Sequence, residues 1–211
     1  MSDYCLAAES VTKSFNRKVI FSNVSFSLAA RQSLVISGRN GSGKSTLMKV
    51  LAALSSPTSG KVLRSDNGAE IKEDVFFQYI GYVAPYLQLY EEFTAWENLD
   101  LLRKIREMGI PDDRLRMLLE LVQLDHRRND TVRTFSSGMK QRMKYACALL
   151  HEPVILMLDE PTANLDVAGR GIVQLIVEEQ RKKGIVIVAT NEPNEMEWCD
   201  HAINLDDKNG K

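Results

Sequence analysis

The sequence predicts an α/β fold with a mostly parallel core sheet, an antiparallel β layer at its N-terminal end and an inserted helical lobe. Three observations predict it. Short, wholly apolar runs (Leu34-Val35-Ile36, Val154 to Leu158, Ile185 to Ala189) have the length and composition of strands buried on both faces. Stretches of helical spacing lie between them, as the crossovers of a parallel sheet require. Finally, a glycine-rich turn joins the first of these strands directly to a helix.

In chain order, Tyr4 to Ala8, Val19-Ile20-Phe21 and Val24 to Leu28 alternate as strands of the antiparallel layer. Phe15 falls between two of them, in a segment with Ser14, Asn16 and Arg17 that reads as a turn. Ser33 to Ser37 is the first core strand, and Leu47 to Leu54 is helical. Lys61 to Arg64 returns as a strand after the turn cluster Ser56 to Gly60, with Asn67-Gly68 a hairpin tip. Ile80-Gly81-Tyr82-Val83 is the next strand. From Leu87 to about Arg133 the pattern turns helical: Thr94 with Glu97 forms a capping box, and Asp112 caps a second helix that buries Leu115, Leu118, Leu119 and Val122. Thr134 to Arg142 opens another helix, the strand Val154 to Leu158 ends in Asp159-Glu160, and a helix from Val167 to Lys183 precedes the strand Ile185 to Ala189. A short helix and a strand over Ala202 to Leu205 follow.

At 211 residues the chain can bury one substantial core and a small second lobe. The expected organisation is a single domain over 1–211, with a core of about 1–86 and 141–211 and a helical lobe of about 87–140. A net charge of −1 argues against a protein that grips nucleic acid through its phosphates. No apolar run reaches the ~18 residues of a membrane span, and the N-terminus lacks the blocks of a signal peptide. Cys5, Cys147 and Cys199 fit reduced thiols better than a disulfide frame or zinc site. The three histidines form no ligand spacing and are expected at surfaces or interfaces.

Chemistry concentrates at Gly38-Arg39-Asn40-Gly41-Ser42-Gly43-Lys44-Ser45-Thr46. A G-x-x-x-x-G-K-S run between strand and helix is the context of a P-loop, so the fold class is that of a P-loop NTPase. Its glycines let successive N–H groups curl around one anion, and the helix start adds unpaired N–H groups and a positive dipole end. Lys44 would reach the β- and γ-phosphates of a nucleoside triphosphate, and the Ser45 hydroxyl would ligate Mg²⁺. Asp159, at the end of a neighbouring strand, is placed to hold Mg²⁺ or its water. Glu160 can act as general base on an attacking water.

Taken together, Gly38 to Ser45, Ser136-Ser137-Gly138-Met139, Leu158 to Thr162 and Asn164-Leu165-Asp166 stand in the order and spacing of an ABC transporter ATP-binding subunit, and the resemblance covers nearly the whole chain. It implies an ATPase in which two cassettes, a homodimer or a pair with a second ABC cassette, trap two ATP molecules between them. Ser136, Ser137, Gly138 and Met139 would be the signature segment that contacts the partner's ATP. Asn164, Leu165 and Asp166 resemble the D-loop. Phe15 falls where the family stacks an aromatic ring on adenine; without the resemblance it reads as a core residue. The helical lobe matches the part that docks on an integral membrane transporter subunit, so the protein is expected to be cytoplasmic and peripheral on the cytoplasmic face of the membrane. The run Ser136 to Arg142 resembles exporters, including haem exporters, and no nucleic acid partner is expected.

Three positions depart from the pattern. The family's switch histidine is Asn191 here, which can donate a hydrogen bond but carries no positive charge, so binding and closure are expected with slower turnover. The Q-loop glutamine's slot is Pro85; Gln88, three residues on, is either a Mg²⁺ ligand through an altered loop or a surface side chain. Arg31-Gln32 replaces a common Gly-Glu and reads as a turn variant. The leading function is therefore the ATP-hydrolysing subunit of a transporter. The alternative is a slow-cycling mechanotransmitter or scaffold acting on a membrane partner without moving a solute.

Overall fold

The computed structural model describes residues 3–107 and 109–206. β1 (Tyr4–Phe15) and β2 (Lys18–Ala29) form one long antiparallel hairpin. Its two-residue turn places Asn16 and Arg17 at φ 48° and 67°, the left-handed pair whose twist matches that of the flanking strands. The three short strands expected from the sequence are thus two long ones, because register shifts between Ala8 and Ser14 interrupt the alternation. Phe15 closes β1 opposite Lys18 rather than lying in a turn.

β3 (Ser33–Ser37) is followed by the glycine-rich loop and α1 (Lys44–Leu51). β4 (Ser59–Asp66) pairs antiparallel with β1, and β5 (Ala69–Glu70) folds back on β4 across Asn67-Gly68. β6 (Ile80–Val83) leads into α2 (Ala95–Ile105) and α3 (Asp112–Leu121). α4 (Ser137–Leu149), β7 (Ile155–Asp159), α5 (Val167–Arg181), β8 (Ile185–Ala189), α6 (Pro193–Met196) and β9 (His201–Asn204) complete the order. The core sheet runs β6-β7-β8-β3-β9, parallel throughout; the antiparallel sheet runs β2-β1-β4-β5.

Strand alternation divides the interior in two. On β7 and β8, Leu156, Leu158, Val186 and Val188 face a core built with Ala95 and Leu99 of α2, Leu115, Leu118 and Leu119 of α3, and Met143 and Tyr145 of α4. Ile155, Met157, Ile185 and Ile187 face the other core, with Leu47 and Met48 of α1 and Leu6, Phe21 and Leu28 of the antiparallel layer. Each fully buried Leu or Ile stabilises its layer by about 1.5–3 kcal/mol.

The helix starts follow local chemistry. Thr94 Oγ1 accepts from the Glu97 N–H at 3.1 Å, and Glu97 Oε2 accepts from the Thr94 N–H at 2.8 Å, closing the capping box. Asp112 is not a cap: Pro111 holds that position, and the Asp112 carboxylate pairs with Arg103 at 2.5 Å. Asp166 caps α5, accepting from the Gly169 N–H at 2.8 Å. His151 is buried rather than at a surface; its Nε2 lies 2.9 Å from the Ile80 carbonyl and joins the end of α4 to β6. No helix among the described residues is long and apolar enough to cross a membrane.

Candidate functional site

The loop between β3 and α1 is compact for a steric reason. Gly38 and Gly43 have φ of 143° and 103°, and a Cβ at either would come within 2.6 Å of Ser42 Oγ or 2.7 Å of Ile20 Cγ2. Both spaces are already used, so only glycine fits. Lys44 is nearly buried and folds back over the loop, its Nζ donating to the carbonyls of Gly38 at 2.7 Å and Arg39 at 3.2 Å. The ammonium is thereby fixed at the loop's rim. Arg39, Asn40 and Gly41 are exposed on that rim, whereas Ser45 and Thr46 are half-buried in the first turn of α1. The Arg39 N–H donates to Asp206 at 3.0 Å.

Asp159, the last residue of β7, lies on the same side as Ile155 and Met157 and so faces α1. It is 1% exposed, and neither carboxylate oxygen has a hydrogen-bond partner among the described residues. Burial raises its pKa most, the Ser45 side chain opposes that shift, the Glu160 charge adds to it, and Lys44 and Lys49 draw it back down. A buried carboxylate without a well-formed hydrogen bond is costly, and the Ser45 side chain and the loop lysine are the groups that offset that cost.

Glu160 leaves the sheet: it sits at φ 51°, its N–H donates to the Ala189 carbonyl at 2.9 Å, and its side chain is exposed. A non-glycine residue held in the left-handed region costs about 1 kcal/mol or more, and here the turn aims the carboxylate out of the sheet. Glu160, Asn40 and Asn191 line one cleft of about 370 Å³. Asn191 Nδ2 lies 3.5 Å from Asn40 Oδ1, so the Asn191 side chain touches the glycine-rich loop.

Phe15 is 50% exposed, with Lys13 Nζ 4.8 Å from its ring centroid. It is not a core residue. The end of its hairpin lies beside the loop, since Ile20 and Phe21 are what a Gly43 Cβ would strike.

The signature segment stands elsewhere. Ser136 is the N-cap of α4, its Oγ accepting from the Met139 N–H at 3.3 Å. Ser137 is exposed, while Met139 packs partly against the helical core. Ser137 shares a cleft of about 350 Å³ with Gln88, Lys140, Lys144 and Asn164, and no residue of the glycine-rich loop lines it. Ser137 and Asn40 of the glycine-rich loop therefore line different clefts. Asn164 lines both this cleft and the one holding Glu160; a Cβ on Gly138 would lie 3.1 Å from its carbonyl. Leu165 is buried and Asp166 caps α5.

Gln88 is exposed and has no hydrogen bond to Asp159 or Ser45 among the described residues; it lines the signature cleft and the groove against α2. Nearer to Asp159 are two tyrosines that no motif singled out. The hydroxyls of Tyr82 and Tyr86 are 2.7 Å apart. Burial chiefly, together with the Asp159 charge, raises both their pKa values, so both stay protonated. Lys49 Nζ sits 4.2 Å from the Tyr86 ring centroid. Sequence reasoning also missed Glu195, 3% exposed, which accepts from the N–H and hydroxyl of Thr162 and lines the Glu160 cleft. A lone acid on a short helix carries no pattern that would have flagged it.

Comparison with known proteins is consistent with this geometry. Residues 21–163 match the ABC transporter family. The chain is 31% identical to the ABC transporter ATP-binding protein YybJ of Bacillus subtilis, over 92% of this chain and 89% of that one. It is 32% identical to the lipoprotein-releasing system ATP-binding protein LolD of Shewanella oneidensis, covering 100% and 96% of the two chains. Among solved structures, an ATP-binding subunit of an ABC transporter superposes with a TM-score of 0.84 at 26% identity, over 97% of this chain and 86% of that one. A dimeric bacterial ABC transporter cassette gives the same TM-score at 24% identity, over 94% and 93%, and shares the fold.

Proposed function

Because this chain belongs to the ABC transporter family, as an ATP-binding and ATP-hydrolysing subunit, we propose that two cassettes close on two ATP molecules and so drive a separate membrane subunit. The observation that carries this reading is that Asn40 of the glycine-rich loop and Glu160 line one cleft while Ser137 lines another. A second copy turned head to tail supplies the missing half, which accords with the solved dimers of similar fold.

Each residue then has a task. The N–H groups of Gly38 to Thr46 and the Lys44 ammonium bind the phosphates. Phe15 stacks on the base. The two unpartnered Asp159 oxygens beside Ser45 are the hard oxygen set that Mg²⁺ takes, so Asp159 and Ser45 would hold the ion. When bound, Mg²⁺ neutralises charge on the β- and γ-phosphate oxygens. Glu160 orients a water and accepts its proton. Asn191 steadies Glu160 and the phosphate end without a positive charge, which slows the step. From the second copy, Ser136, Ser137, Gly138 and Met139 bring the start of α4 to the phosphate, and Asn164-Leu165-Asp166 links the two sites.

The membrane subunit docks on the groove between the core and the helical segment, lined by Phe77, Leu87, Tyr90 and Leu102, on the cytoplasmic face. Glu160→Gln is expected to trap ATP and shift the chain to a dimer in light scattering; a strictly monomeric Glu160→Gln protein with ATP and Mg²⁺, both alone and with its membrane partner, would overturn this reading. Asn191 also supports a second reading, a slow signalling cycle without solute movement. Transport of a labelled solute into vesicles, lost in Glu160→Gln, separates the two.

A further inference from the structure

The loop after β6 carries no glutamine in its first turn. Pro85 offers no side-chain donor, and Gln88 points its exposed side toward the signature cleft and the α2 groove. Tyr86 instead lies against α1, near Asp159. Its hydroxyl is joined to that of Tyr82 at 2.7 Å, and Tyr82 is fixed on β6 opposite Met157 of β7, two residues before Asp159. Its ring is covered by Lys49 from α1 at 4.2 Å. Two hydroxyls that share one hydrogen bond leave one O–H and free lone pairs for a third partner. The same loop is tied to the signature helix: Lys144 of α4 donates from Nζ to the Ala84 carbonyl at 3.2 Å and the Pro85 carbonyl at 3.0 Å.

We propose that Tyr86, braced by Tyr82 and Lys49, is the contact between this loop and the metal-and-phosphate end of the nucleotide site, and that Lys144 passes its position to α4. The proposal rests on the ATP-site reading above and assigns it a residue. Tyr86 offers a polar hydrogen or lone pair to a metal-bound water or phosphate oxygen. Removing that oxygen uncouples the loop from the nucleotide while the phosphate loop itself stays intact.

The test uses the full chain and its Tyr86→Phe, Tyr82→Phe, Tyr86→Gln and Gln88→Ala variants. Binding of a fluorescent ATP analogue is titrated against Mg²⁺, and backbone hydrogen exchange is followed with and without Mg-ATP. Tyr86→Phe is expected to raise the Mg²⁺ concentration for half-maximal binding about tenfold, the scale of one hydrogen bond to a charged group. It should lose the ATP-induced protection of residues 84–88 while keeping that of 38–46. Tyr82→Phe should give a smaller shift of the same sign, and Tyr86→Gln should restore the wild-type response. The proposal is overturned if Tyr86→Phe retains the wild-type Mg²⁺ requirement and loop protection, or if Gln88→Ala rather than Tyr86→Phe loses them. A wild-type chain that binds no ATP overturns the nucleotide-site reading itself, a result distinct from either.

Discussion

The glycine-rich loop and the start of α4 are built in opposite ways. Around Lys44 and Asp159 the site is set in advance: the ammonium is held by two carbonyls, the carboxylate is buried, and Gly38 and Gly43 leave no room for another side chain. Around Ser137 the helix start is exposed, and only Ser136 is committed, to the Met139 N–H. The first region is fixed by contacts of its own; the second presents a helix start that, in the proposed dimer, is completed by the other copy. If the proposed two-cassette site is right, the difference makes affinity for ATP and its turnover separable properties of this chain.

The most forceful way to break that comparison is Lys44→Ala. It is expected to weaken ATP binding and to cut hydrolysis by about a hundredfold or more, the scale of a lost charged phosphate contact, with an unchanged circular-dichroism spectrum. Ser137→Ala tests the other region. Hydrolysis should fall about tenfold while ATP affinity of the monomer, measured by equilibrium binding, moves less than about twofold. Equal losses in both quantities would mean that the signature belongs to the same chain's site. Asn191→His sharpens the account of the Glu160 cleft: restoring a protonatable ring beside the γ-phosphate should raise hydrolysis several-fold, and a rate unchanged or lower would count against it.

Two smaller effects probe the joint between the regions. Burial first, and the Arg106 charge second, lower the His151 pKa to about 4, below the unfolded value near 6.5. Between these values the unfolded chain binds the extra proton, so stability falls as pH drops from about 6.5 toward 4. The loss between pH 7 and pH 5 should be about 1–2 kcal/mol by urea titration, and His151→Gln should flatten it. Thr94→Ala removes one half of the capping box and is expected to cost about 1 kcal/mol, read as a fall of a few degrees in Tm, without changing ATP affinity.

Much of this was legible from residue order. The strands Ser33–Ser37, Ile80–Val83 and Ile185–Ala189 occupy the positions that their apolar runs mark, because a strand buried on both faces leaves an uninterrupted signal. The N-terminal hairpin was harder: bulges broke its alternation, and half of each strand looks like loop. The glycine-rich loop and the Asp159-Glu160 pair could be singled out from the sequence because their spacing is local, and the fold places the loop directly after β3 and the pair at the end of β7. Tyr82, Tyr86 and Glu195 could not be, since their roles arise from contacts across β6, α1 and α6 that no local spacing encodes. The same holds for His151, whose burial depends on β6 arriving beside the end of α4.

The alternation along β7 has a consequence for how this sequence can change. Odd positions face the phosphate loop's helix and even ones the helical lobe, so a single inserted or deleted codon upstream of Asp159 within that strand would rotate its carboxylate into the oily compartment beneath Tyr145. Point changes at neighbouring positions only trade volume. Length variation among descendants should accordingly collect in the outer hairpin, where a bulge can absorb it, and be purged from the five residues of β7.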